Sequence, residues 1–167
     1  MDYHKKEYPL IDLNSDQYFM GEALRQATKA YTRDEVPIGA VIVFEGKIIA
    51  RAFNQVELLK DATAHAEMLA ITQAQQIVED WRLMKCSLFV TKEPCPMCAG
   101  AIMLSRVERV VIGAPDCKSG GAGGLFNILQ NDSLNHRCQI TSGVRMDECA
   151  GLLRNFFNQK RQSPKNQ

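Results

Sequence analysis

Ser87-Leu88-Phe89-Val90-Thr91-Lys92-Glu93-Pro94-Cys95-Pro96-Met97-Cys98-Ala99-Gly100-Ala101 is the stretch from which the architecture can be read. Ser87 to Thr91 is a short apolar run rich in β-formers, the pattern of a buried strand. Pro94 follows it, and Pro96 sits where a helix tolerates proline best, in its first turn. That helix should stop near Arg106, and Arg109 to Gly113 reads as the next strand. Strand, helix and strand in close succession predict a sheet sandwiched by helices, partly parallel, with right-handed crossovers.

The flanking sequence fits the same plan. Ser15 is a suitable N-cap for a helix to about Tyr31, with Met20, Ala23, Leu24, Ala27 and Tyr31 at helical spacing. Val36-Pro37-Ile38-Gly39 ends that pattern. Ala40 to Phe44 and Lys47 to Phe53 read as two strands joined at Glu45-Gly46 by a hairpin. Asp61 or Thr63 can cap a second helix from near Ala64 to Val78. Gln139 to Val144 reads as a fifth strand. Asp147 to about Arg161 reads as an amphipathic helix, its apolar Cys149, Leu152, Leu153, Phe156 and Phe157 falling at i, i+3, i+4, i+7 and i+8. The expected fold class is therefore α/β, a five-stranded mixed sheet flanked by helices. The chain divides into a polar lead-in over residues 1–14, one domain over 15–161 and a polar tail over 162–167.

Composition excludes several classes. At 167 residues one domain is the natural size, and 46% hydrophobic with 23% charged residues is ordinary for a globular chain. No apolar run approaches the length of a membrane span, and the polar N-terminus lacks the core of a secretory signal. Of six cysteines two belong to a Cys-x-x-Cys pair. Cys86, Cys117, Cys138 and Cys149 have no disulfide-framework spacing, which favours a reduced, cytoplasmic setting. A net charge of +1 neither demands nor forbids nucleic acid.

The chemistry gathers at His65-Ala66-Glu67 and Pro94-Cys95-Pro96-Met97-Cys98. One imidazole and two thiols supply three ligands to a tetrahedral zinc and leave one position for water, whereas structural zinc usually takes four protein ligands. Both halves lie at expected helix starts. Within a helix body, positions i and i+2 point apart, but in a first turn His65 and Glu67 can converge beyond the helix end. The positive end of each helix favours thiolates. Glu67 is at the wrong distance for the HExxH metalloprotease helix and suits a proton carrier beside activated water. Taken singly, each element has a plainer explanation: a lone Cys-x-x-Cys is more often structural zinc or a redox pair, and a lone His a satisfied core or surface side chain. Their co-occurrence, with no second cysteine pair, favours the catalytic reading.

With Glu35-Val36-Pro37-Ile38-Gly39-Ala40, Thr63-Ala64-His65-Ala66-Glu67 and Glu93-Pro94-Cys95-Pro96-Met97-Cys98-Ala99-Gly100-Ala101 in place, the chain resembles the zinc-dependent cytidine and deoxycytidylate deaminase superfamily, and within it the bacterial tRNA-specific adenosine deaminases. The likeness runs from about residue 16 to 161, through Ser105-Arg106, Gly113-Ala114, Asp116, Lys118-Ser119-Gly120, Asn135-His136-Arg137 and Asp147-Glu148-Cys149-Ala150. It departs at Ala62, where a proline is common, and at Leu104, where some members carry a polar residue.

The resemblance implies a three-layer α-β-α, cytidine-deaminase-like fold and a homodimer with composite substrate sites. One Zn2+ per subunit would be held by His65, Cys95 and Cys98. Zinc-activated water would attack C6 of a wobble adenosine in a tRNA, chiefly an arginine tRNA, with Glu67 as proton shuttle. It further implies that Asn54, Ala66, Asp116, Lys118, Asn135, His136, Arg137, Arg154 and Phe157 hold the anticodon stem-loop. Plainer readings stand beside these. Asn54 serves equally as a strand terminator, and Ser119 to Gly124 reads as a flexible turn, since it lacks the order of a phosphate-binding loop. Phe156 reads as core, and Phe157 as either core or a stacking platform. The apolar helix Pro96 to Leu104 is the candidate dimer contact, or else is covered by its own sheet. The rival functions are a deaminase of free bases or nucleosides, a riboflavin-pathway deaminase, for whose fused reductase the chain has no room, and an inactive zinc-stabilised RNA-binding module.

Overall fold

The computed structural model describes residues 12–162. The part of the expected lead-in before Asp12 and the part of the expected tail after Gln162 lie outside the described residues. Along the chain the elements are α1 (Asp16–Tyr31), β1 (Gly39–Phe44), β2 (Lys47–Phe53), α2 (Val56–Leu59), α3 (Ala66–Val78), β3 (Cys86–Lys92), α4 (Pro96–Leu104), β4 (Arg109–Ala114), β5 (Gln139–Ser142) and α5 (Met146–Gln162). The sheet has the order β2-β1-β3-β4-β5. The β1–β2 and β1–β3 pairs are antiparallel, while β3–β4 and β4–β5 are parallel.

Alternation within the strands makes the three layers. Val41, Val43, Phe89 and Val111 pack with Phe19, Met20 and Ala23 of α1 and Cys149 of α5. Their neighbours Ala40, Ile42, Leu88, Val90, Val110 and Ile112 pack with Ala66, Ala70 and Ala74 of α3 and Ala99 and Ile102 of α4. Both faces are covered, so the central strands read as continuous apolar runs rather than alternating ones. Each fully buried Leu, Ile or Phe here contributes about 1.5–3 kcal/mol. Gly39 permits the closest approach: a Cβ there would lie 2.1 Å from the Ala23 carbonyl oxygen and 2.4 Å from the Ala27 nitrogen.

Local chemistry sets most of the boundaries. The Ser15 side chain accepts the Tyr18 N–H, capping α1 as expected. Glu45 and Gly46 both have positive φ, 48° and 74°, which matches a tight hairpin to the twist of β1 and β2. Two expectations need correction, and one element was not foreseen. Neither Asp61 nor Thr63 caps α3: Asp61 Oδ1 instead accepts both the N–H and the hydroxyl of Thr63, closing a local turn, and His65 occupies the cap. Gln139 begins β5 as read, but the strand ends at Ser142, because the Gly143 and Val144 N–H groups both turn back to the Ile112 carbonyl. Finally, the one-turn helix α2 lies in a segment with no helical periodicity.

Candidate metal centre and substrate cleft

His65 is the N-cap of α3 and Cys95 the N-cap of α4, and neither side chain caps its own helix. Cap residues of the usual kind would turn their polar atoms back onto the helix N–H groups. Here those atoms project outward and meet. His65 Nδ1 lies 3.6 Å from Cys95 Sγ and 3.5 Å from Cys98 Sγ, and the three donor atoms fall within 4.8 Å of one another. Tetrahedral zinc with ordinary Zn–S and Zn–N lengths requires an N-to-S edge of roughly 3.6 Å. The donors therefore stand at zinc-binding separations, and their soft, mixed character suits that ion. His65, Cys95 and Cys98 are positioned to hold one zinc.

The electrostatics of the cluster belong to the group as a whole. Of the two thiols Cys95 is the more acidic, because hydrogen bonds from Cys98 and His65 hold it well below the usual thiol range. Cys98 is pushed up by its bond to Cys95, by burial and by the charge of Glu67. The bond to Cys95, outweighing desolvation, raises the proton affinity of His65, and nearby Glu67 adds to it. Glu67 is 3% exposed, and desolvation drives its carboxyl upward. A buried carboxyl with raised proton affinity, two residues from one ligand and interacting with Cys98, can take up and return a proton beside the ion.

The other sequence-predicted residues fall into two groups. At the cluster end of the sheet, Ala66 is fully buried between His65 and Glu67. Asn54 is 5% exposed, just beyond β2, and the next residue, Gln55, donates its N–H to Ala64, adjoining His65. The Asp116 carboxylate is occupied within the protein: it pairs with Lys92 and accepts the Lys118 N–H, the Ser119 N–H and the Ser119 hydroxyl. Lys118 is exposed beside it. Phe156 is core, packed edge-on against Tyr31, whereas Phe157 is 43% exposed. Phe157 lines a groove of about 600 Å³ with Arg33, Val36, Leu58 and Lys160. Arg154 is exposed one turn earlier on α5.

The second group lies at the other end. Asn135 accepts from Arg106, His136 donates through Nε2 to the Val107 carbonyl at 2.7 Å, and Arg137 pairs with Asp132. Arg106 and Val107 precede β4, and α4's nine residues, about 13 Å of helix, separate them from Cys95. Asn135 to Arg137 are thus not brought beside the cluster of their own chain.

Residues 13–114 match the family model of the cytidine and deoxycytidylate deaminase zinc-binding region. The chain belongs to that family. Within it, a tRNA-specific adenosine deaminase of Bacillus subtilis is 50% identical over 153 residues, spanning 92% of this chain and 95% of that protein. One of Aquifex aeolicus is 48% identical over 145 residues, 87% of this chain and 95% of that protein. A solved structure from work on A-to-I editing by tRNA:A34 deaminases at the wobble position superposes with a TM-score of 0.79 at 41% identity, covering 81% of this chain and 99% of that one. The guanine deaminase of Nitrosomonas europaea superposes with a TM-score of 0.75 at 26% identity, over 90% of this chain and 88% of that one. The three-layer fold with its mixed five-stranded sheet is that of these deaminases.

Two buried glutamates of this deaminase fold escaped sequence reasoning. Glu93, 4% exposed, accepts the N–H groups of Asp116, Ala122 and Gly124 at 2.7, 3.0 and 2.7 Å. Ser119 to Gly124 is consequently tied down rather than a free turn, with Gly121 also donating to the Pro94 carbonyl. Glycine is required here, since a Cβ on Gly124 would lie 2.6 Å from the Glu93 carboxylate and 2.1 Å from the Asp116 carbonyl oxygen. Glu35, 1% exposed, performs the same office for α2. Local sequence carried no signal for them: Glu35 follows Arg33-Asp34 and Glu93 follows Lys92, where an acidic residue reads as an ordinary solvated charge.

Proposed function

We propose that the chain is a zinc-dependent hydrolase that converts adenosine to inosine at wobble position 34 of a tRNA, chiefly an arginine tRNA, with water consumed and ammonia released. The observation that carries the chemistry is the buried Glu67 carboxyl standing against three convergent zinc donors. The ion, when bound, supplies the Lewis acid that makes water a nucleophile at neutral pH. Glu67 accepts one proton from water and passes it to the ring nitrogen, then takes the second from the new C6 hydroxyl and delivers it to the amine, which leaves as ammonia while the C6 carbonyl forms. The helix starts behind His65 and Cys95 add positive dipole ends, which favour the thiolates.

Relatives named tRNA-specific adenosine deaminase at 45–50% identity support the tRNA substrate over a free base, for which the guanine deaminase at 26% is the nearest argument. An anticodon loop also suits the site, because its bases are flipped out at lower cost than those of a duplex. In this reading residues 15–161 form the deaminase domain. Asn54 and the Ala66 backbone meet the flipped nucleotide, Phe157 and Arg154 the neighbouring bases and backbone, and Lys118 the phosphates. Asp116 serves by holding its loop through Lys92. Asn135, His136 and Arg137 reach the same stem-loop from a second copy, their separation from their own cluster supporting a homodimer. Gly100, whose absent Cβ would meet nothing within 4 Å, and exposed Leu104 support α4 as the contact. Six free cysteines and relatives that act on tRNA support a cytoplasmic setting, and no helix of the described residues is long and apolar enough to cross a membrane.

The test is to incubate the zinc-loaded protein with an anticodon stem-loop carrying a wobble adenosine, and separately with guanine and cytidine. Ammonia release and A read as G on sequencing are expected for the stem-loop alone. Turnover of guanine or cytidine with an unchanged stem-loop would move the assignment to the free-base enzymes.

A further inference from the structure

We propose that Glu35 is a positioning residue that fixes the orientation of the Asn54 amide in the nucleotide site; the proposal rests on the reading of Asn54 as a nucleotide contact. Glu35 follows α1 and points under the segment between β2 and α3. Its Oε2 accepts Asn54 Nδ2 at 3.3 Å and the Glu57 N–H at 3.2 Å, and its Oε1 accepts the Leu58 N–H at 2.6 Å. The last two are early N–H groups of α2, which its own cap residue, Gln55, leaves without a side-chain partner. A carboxylate from a distant part of the chain thus does the work of the missing cap and holds the amide beside it.

The consequence for Asn54 follows from donor and acceptor arithmetic. An ionised carboxylate only accepts, so the amide must turn its nitrogen, not its oxygen, toward Glu35. One Nδ2 hydrogen is used. Among the described residues, no hydrogen bond is made to Asn54 Oδ1, and no fully buried side-chain polar atom lacks a partner, so Oδ1 opens to solvent. An unfixed asparagine can present its two ends in either order. Here the order is set from behind, and the fixed end stands next to the segment that delivers His65. A glutamine at position 35 has a single oxygen for three N–H donors and an NH2 group that can invite the flipped amide.

The decisive experiment is a double-mutant cycle on kcat/KM for the anticodon stem-loop, using Glu35→Gln, Asn54→Ala and both together, with melting temperatures alongside. Glu35→Gln should lower kcat/KM by about tenfold or more, while in the Asn54→Ala background it should change kcat/KM little. Equal losses in both backgrounds would reduce Glu35 to a structural prop and overturn the proposal. A protein that folds only with Glu35→Asp is put through the same cycle. If the wild type releases no ammonia, the functional reading fails on its own. The cycle is then read on stem-loop Kd, where additive effects or an absence of binding would also reject the positioning role.

Discussion

Two glutamates at the same end of the sheet, Glu67 in the first turn of α3 and Glu93 after β3, are almost equally buried at 3% and 4% exposed, yet their surroundings differ in kind. Glu93 receives three backbone N–H groups from the loop it organises. Glu67 is offered little beyond its own N–H and the Cys98 thiol, and desolvation raises its affinity for a proton. Burial alone therefore does not identify an acid-base group. A buried carboxylate supplied with donors is a fixed part of the framework, while one starved of them is ready to change its protonation state.

The largest effect should come from replacing the starved carboxyl. Glu67→Gln keeps the shape and removes the ability to carry a proton, so turnover on the stem-loop should fall by roughly 10²–10⁴-fold. Zinc content by elemental analysis and stem-loop affinity should stay near those of the wild type. Near-normal turnover would break the contrast at its root, because Glu67 would then be framework as well.

Glu93→Gln should show the opposite profile. One oxygen cannot serve three N–H groups, and the new NH2 group faces donors. A cost of about 1–3 kcal/mol in urea unfolding is expected. Activity should decline mainly through the loop and recover at lower temperature. A variant of undiminished stability that had lost only kcat would assign Glu93 to the chemistry.

That contrast also marks how far the sequence could be read. The sequence located β1 to β4 by apolar β-rich runs, α1 and α5 by apolar positions at helical spacing, α3 by candidate capping residues and α4 by Pro96 in its first turn. It misplaced the cap of α3, since His65 occupies the cap for the sake of its ligand role and gives no capping bond. It could not see α2, which is held by Glu35 from across the chain rather than by local propensity. The cluster of His65, Cys95 and Cys98 was legible because metal chemistry demands particular residue types at particular spacings. Glu35 and Glu93 were not, because their function lies in contacts to backbone amides 22 to 31 residues away, and any sequence can supply an amide.

The smallest effect sharpens the framework half of the comparison by pH. Burial alone would raise Asp116, but Lys92, Ser119 and the Lys118 N–H together hold its carboxyl well below the ordinary carboxylate range. A carboxyl depressed in the folded state binds its proton more weakly there than in the unfolded chain. Its contribution is thus complete above the unfolded value, about pH 4, and is lost progressively as pH falls from there through the depressed folded value. For a partly exposed ion pair the amount is on the order of 1 kcal/mol. Acid also displaces zinc from thiolates, in wild type and variant alike, so the informative quantity is a difference. Measured by urea unfolding at pH 7 and pH 3, the stability gap between wild type and Asp116→Asn should be complete at the first and reduced, though not abolished, at the second, because the folded carboxyl keeps its charge until pH falls through its own depressed value. A gap unchanged between the two would mean that the Asp116 loop is held by its hydrogen-bond geometry alone, without help from the charge of Lys92.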